Sequence, residues 1–325
     1  MSMTRYIGRR VIEIVITAFV LITILFFLFR VMPGDPVSMM LSPQMRPEIK
    51  AQLRVQYGFD KPLVVQYFLY MKNVLKGNFG ESFYYREPVM GIVWDKLPNT
   101  LLLFGSATIL SYALGITLGK IIAWKRGSKT EYAATVAGLA FYNMPIFWIG
   151  IIVLYIFAYK LDLFPMGGMI TPELWMNADV TTIQKALDIL YHLTLPLITL
   201  TLLLFASSML IMRNSMLETL RQDYITTAEA KGLPEKVVRN RHAARNAMLP
   251  VATSFSLSLA FSLAGGVLTE RVFSWPGLGW ELVNATVNYD YPLAQAALLF
   301  LGIVILVMML VADIILVFLD PRIRY

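Results

Sequence analysis

Two carboxylates, Glu13 and Asp313, interrupt runs of residues that are otherwise apolar. An ionisable group inside a membrane-length run normally faces a bundle interior, a water-filled path or a partner charge. Glu13 follows Arg9 by one helical turn, so a local ion pair is the favoured reading. Asp313 has no sequence-local partner and leaves two readings open, a structural interhelical pair or a part in gating. Ser254, Ser258 and Ser262 recur at four-residue spacing and share one helix face. Hydroxyls in such a row can replace water along a translocation path. Packing of small residues between helices is the preferred reading.

Other chemistry is thinly represented. There are no cysteines, and the two histidines, His192 and His242, are far apart, which argues against a metal centre. Gly115, Gly119 and Lys120 look like a fragment of a phosphate-binding loop, but the spacing is one residue short and Ile121 replaces the hydroxyl residue. No HExxH or GxSxG pattern occurs. Neither a catalytic residue, nor a cofactor, nor a metal is expected in this chain.

The elements that carry these residues are membrane spans. Hydrophobic residues make up 57% of the chain and charged residues 15%, a balance that no continuous polar surface allows. The net charge of +7 is explained by basic residues marking the cytoplasmic side, without nucleic acid as a partner. Runs at 11–29, 101–123, 132–159, 193–212, 251–268 and 292–318 predict six transmembrane helices in an all-α membrane protein with both termini cytoplasmic. The first run continues into Arg30 and MPGDP, which points to a retained helix and not a cleaved leader. A sizeable exterior segment, 32–96, follows it, so residues 1–97 form one unit and 98–325 a core of five helices. Ser111, Gly115 and Gly119 give the second span a small-residue packing face. Pro145 should kink or split the third. Near it, Phe141, Tyr142, Phe147 and Trp148 read as an interface belt or core, not a ligand cage.

One stretch stands apart. Between Asp223 and Pro250 the chain is polar and basic, and it reads as a helix capped at Asp223, stopped at Gly232 and restarted after Pro234. Residues 213–245 hold seven Lys/Arg against four Asp/Glu, which places this elbow in the cytoplasm. A loop needed only for its charge would not require a helix, a stop and a second helix. Docking to a cytoplasmic partner is therefore preferred over a solvated basic loop.

The stretch DYITTAEAKGLPEKVVRNRHAARNAMLP resembles the cytoplasmic loop of ABC importer permeases, in the form used by the dipeptide/oligopeptide and nickel branch. MPGDP, YGFDKPLVVQY, GNFGESF, LPNTLLL, NMPIFWIG, FSWPGLG and DPRIRY extend the resemblance over nearly the whole chain. It implies a coupling loop at about 213–249, in which Ala228, Glu229, Ala230, Lys231, Gly232 and Leu233 meet an ATPase groove. Glu229 and Ala244 depart from the family pattern, which has a basic residue and a leucine there. The resemblance further implies a prokaryotic cytoplasmic (inner) membrane and four kinds of partner: the lipid membrane, a second homologous permease subunit, two cytoplasmic ATPase subunits carrying ATP and Mg, and an exterior substrate-binding protein. Di- and oligopeptides are the implied cargo, with oligosaccharides or nickel as alternatives. A stand-alone channel or carrier, or a membrane scaffold docking through the elbow, are the readings from other classes.

Overall fold

A computed structural model describes residues 3–31, 60–177, 179–262 and 266–319. Residues 32–59 of the expected exterior segment, the basic C-terminus and the side chain of Ser262 lie outside the described residues. Among the described residues the fold is helical, with one isolated β-bridge between Glu81 and Pro88.

Four helices among the described residues are long and apolar enough to cross a membrane: α1 (Met3–Val31), α3 (Val89–Trp124), α7 (Thr182–Thr219) and α13 (Tyr291–Leu319). A fifth crossing is supplied if α4 (Lys129–Asn143) and α5 (Ile146–Val153, prolonged by a π-helical turn to Lys160) count as one span. These two meet at 102°, and Pro145 stands at the joint, as its missing N–H requires. The expected fifth run forms α10 (Ala244–Ser262), followed by the short α11 (Val267–Val272). Within the described residues α10 is not among the helices long and apolar enough to cross unaided; it carries Arg245 and Asn246 in its first turn and serines at 254, 256 and 258. Short helices α2 (Leu63–Leu75), α6 (Pro172–Met176), α8 (Asp223–Ala230), α9 (Glu235–Val237) and α12 (Leu278–Val287) join the long ones.

The centre of the bundle is the α3–α7 pair. It is close because α3 turns glycines toward α7: a Cβ on Gly119 would lie 2.7 Å from the Met209 carbonyl oxygen. Ser208 donates to the Ser111 carbonyl at 3.2 Å across the same contact. α10 packs on α3, α7 and α13, and α1 packs on α13. The outer faces of α1 stay apolar and open, with Ile12, Val15 and Ile16 more than half exposed, as lipid contact demands. α7 starts with a capping box, in which Thr181 and Gln184 satisfy each other's backbone donors.

Candidate functional site

The elbow begins on a buried base. Ile225 and Ala228 on α8 join Met212, Met216, Tyr112, Val238 and Ala247 in one apolar cluster, and α8 packs on the π-helical stretch Val238–Ala243 that leads into α10. Burial of this face fixes the orientation of α8. Polar ties add directionality: Asn246 donates to the Tyr224 hydroxyl at 2.7 Å, Ser215 donates to the Ala247 carbonyl at 2.9 Å, and Trp124 donates to Glu235 at 3.3 Å. One turn back along α7, the Arg213 guanidinium meets Glu131 at 2.8 Å, and Glu131 also accepts from Gly127 at 2.6 Å. That pair ties α7 to the start of α4.

The stop works as the sequence requires. Gly232 has φ +71°, the left-handed conformation glycine adopts without a Cβ penalty. Its N–H donates to Glu229 at 2.9 Å, and the Leu233 N–H donates to Ala228 at 3.4 Å. Asp223 is the first helical residue and Gln222 holds the cap position, so Asp223 acts on the helix dipole and not as the cap. Beyond Pro234 the backbone passes through α9 and a π-helical stretch, Val238–Ala243, into α10.

Of the six residues expected to meet a partner, Glu229, Ala230, Lys231, Gly232 and Leu233 are exposed on the tip. Ala228 is buried at 5% exposure and belongs to the base. The tip therefore offers a short surface with one acid, one base and little bulk, above a buried apolar base.

Elsewhere the expected residues resolve into pairs. Glu13 takes Arg9 and Arg10, each at 2.9 Å. Asp313 has an interhelical partner after all: Arg10 of α1 reaches it at 3.0 Å. Ser254 and Ser258 each lie 2.7 Å from the Tyr112 hydroxyl of α3, so both are tied into a helix contact. Tyr142, Phe147 and Trp148 are exposed at 43–55%, which fits a membrane-facing belt.

One site escaped sequence reasoning. Glu270 on α11 is fully buried, and its carboxylate accepts from Thr100 and from the Trp280 N–H, both at 2.7 Å. Around it the LPNT and FSWPGLG segments interlock: Asn99 donates to the Pro276 carbonyl at 2.9 Å, and Trp275 donates to the Asn99 carbonyl at 2.9 Å. Gly277 is obligatory here, because any Cβ would run into the Glu270 carboxylate. Nearby, Asp290 accepts from Ser82 and, at 3.2 Å, from the Phe83 N–H, clamping the turn before α3 onto α13.

Residues 115–325 match the family described as binding-protein-dependent transport system inner membrane component, and residues 3–104 match the N-terminal component of the same systems. The chain belongs to this family. It is a permease subunit of the inner membrane. The di/tripeptide transport system permease protein DppB of Pseudomonas aeruginosa (strain UCBPP-PA14) is 38% identical, with 99% of each chain covered. The dipeptide transport system permease protein DppB of Escherichia coli (strain K12) is 37% identical over 99% of each chain. The oligopeptide transport system permease protein AppB of Bacillus subtilis (strain 168) is 36% identical over 99% of this chain and 100% of its own.

Proposed function

We propose that this chain is the transmembrane permease subunit of an ATP-driven importer of di- and oligopeptides. The observation that carries the reading is full-length similarity to permeases named for those substrates. In it, an exterior binding protein delivers the peptide to this chain paired with a second related permease, and two cytoplasmic ATPases bind and hydrolyse ATP. Six spans with both termini cytoplasmic complete the reading, with α10 and α11 together as the fifth crossing and the elbow on the ATPase side.

The elbow supplies the mechanical means. Closure of the ATPase dimer moves the tip at Glu229–Leu233. Because α8 packs on the π-helical stretch that runs into α10 and shares an apolar cluster with residues of α3 and α7, that displacement passes to the bundle instead of being absorbed in a loop. The bundle then alternates between outward and inward access. Uptake of a labelled dipeptide into vesicles reconstituted with this chain, its permease partner, the ATPases and the binding protein should require ATP. Uptake without ATP, or by this chain alone, would replace the reading with a channel or carrier.

A further inference from the structure

No residue of α4, the first half of the broken third span, belongs to the apolar cluster under the elbow. Motion of the elbow must reach α4 by another route. Two residues of α4 are buried, Glu131 and Gly138, and both meet α7. A Cβ on Gly138 would lie 2.5 Å from the terminal methyl of Met209, so this contact is close but has no fixed direction. Glu131 is different in kind. The Nε and Nη2 groups of Arg213 both donate to its Oε1, and the Gly127 N–H donates to its Oε2 at 2.6 Å.

Each of those bonds leads back to the elbow. Arg213 shares a turn of α7 with Met212 and Met216, which belong to the cluster beneath α8, and with Ser215, which is tied to Ala247 of α10. Gly127, left-handed at φ +79°, lies in the turn that follows Trp124, and Trp124 donates to Glu235 in the second limb of the elbow. Both limbs of the elbow therefore converge on one carboxylate by separate routes. Stability alone does not call for a charge here, because apolar residues of similar volume often hold two helices as well as a buried ion pair does. What three donors on two oxygens supply, and apolar contact does not, is a fixed direction.

We propose that Glu131 is a positioning residue for transport: it carries the displacement of the elbow to α4, so that the broken span moves with the ATPase cycle. The inference rests on the ATP-driven reading above. With the pair removed, the elbow still moves and ATP is still hydrolysed, while α4 lags behind.

Uptake of a labelled dipeptide per ATP hydrolysed, in vesicles holding the complete importer, tests it. Glu131→Gln leaves the Arg213 charge without its partner, so it should lower both the melting temperature and uptake per ATP. Glu131→Leu combined with Arg213→Met removes both charges at similar volume and should melt at or above the temperature of the natural chain. Uptake per ATP in that double variant should nevertheless stay about fivefold or more below the natural value, the size of a typical coupling between sites. Arg213→Lys, which keeps the charge and loses the fork, should fall between. Recovery of uptake per ATP together with the melting temperature would show a merely structural pair and overturn the proposal, as would a natural ratio in Glu131→Gln. If the double variant fails to fold, Arg213→Lys decides: an unchanged ratio there sinks the idea. ATP-independent uptake by the natural chain would be a separate failure, that of the transport reading, and would take the inference with it.

Discussion

Gly232→Val is expected to leave ATP hydrolysis running while dipeptide uptake falls at least tenfold. The cause is backbone conformation, not crowding. Nothing lies within 4 Å of a Cβ built on Gly232, yet its φ of +71° is one that L-residues rarely adopt. A left-handed residue costs roughly 1–2 kcal/mol, and most for a β-branched side chain. The chain escapes that strain by turning the peptide units at Gly232 and Leu233. Doing so breaks the bonds from their N–H groups to Glu229 and Ala228, which define the tip. The buried base, held by Ile225 and Ala228, stays in place, so the protein folds and the tip is misdirected. Measured together in reconstituted vesicles, ATP turnover and uptake should separate. Gly232→Asn, which tolerates left-handed backbone better, should fall between. Normal uptake in Gly232→Val would sink the coupling role of this turn.

What the sequence made legible is local. The Gly232 stop, the break at Pro145 and the glycine face of α3 depend on residues within one or two helical turns, and the structure has all three. The resemblance puts Ala228 among the docking residues, and the alanines of this helix carry no sign of which face is buried; contact with the base decides it. The partner of Asp313 was out of reach for another reason. Arg10 lies 303 positions away and was spent, in sequence terms, on marking the cytoplasmic side. Glu270 and Thr100 are 170 positions apart, and Ser82 and Asp290 are 208. LPNT and FSWPGLG were each visible as motifs, but only packing brings them together around one carboxylate. The fifth run, α10, is less uniformly apolar than the others, because a helix whose hydroxyls are satisfied by its neighbours need not be apolar throughout.

The second large effect is expected from Gly115→Leu, which should remove most folded protein from the membrane. At Gly115 an added Cβ would strike the Ser208 side chain and lie 2.9 Å from both the Met209 nitrogen and the Phe205 carbonyl oxygen. A flexible side chain could move aside, but two of these three atoms are backbone. The helix axes of α3 and α7 must then separate, and the Ser208–Ser111 bond and the packing of the buried Met209 are lost with them. Overpacking commonly costs about 1–3 kcal/mol, and backbone obstruction puts this position at the upper end or beyond. In a membrane the loss is not offset by apolar burial elsewhere, because lipid is as apolar as the helix face and only close fit holds the pair. Gly105→Leu on the same helix, where nothing lies within 4 Å, is the matched control and should express and melt like the natural chain. The yield of monodisperse protein and its melting temperature report the difference. Because α8 shares its apolar cluster with Met212 and Met216 of α7, any Gly115→Leu protein that does fold should also lose coupling. Equal yields from the two variants would mean that the α3–α7 contact does not hold the bundle together.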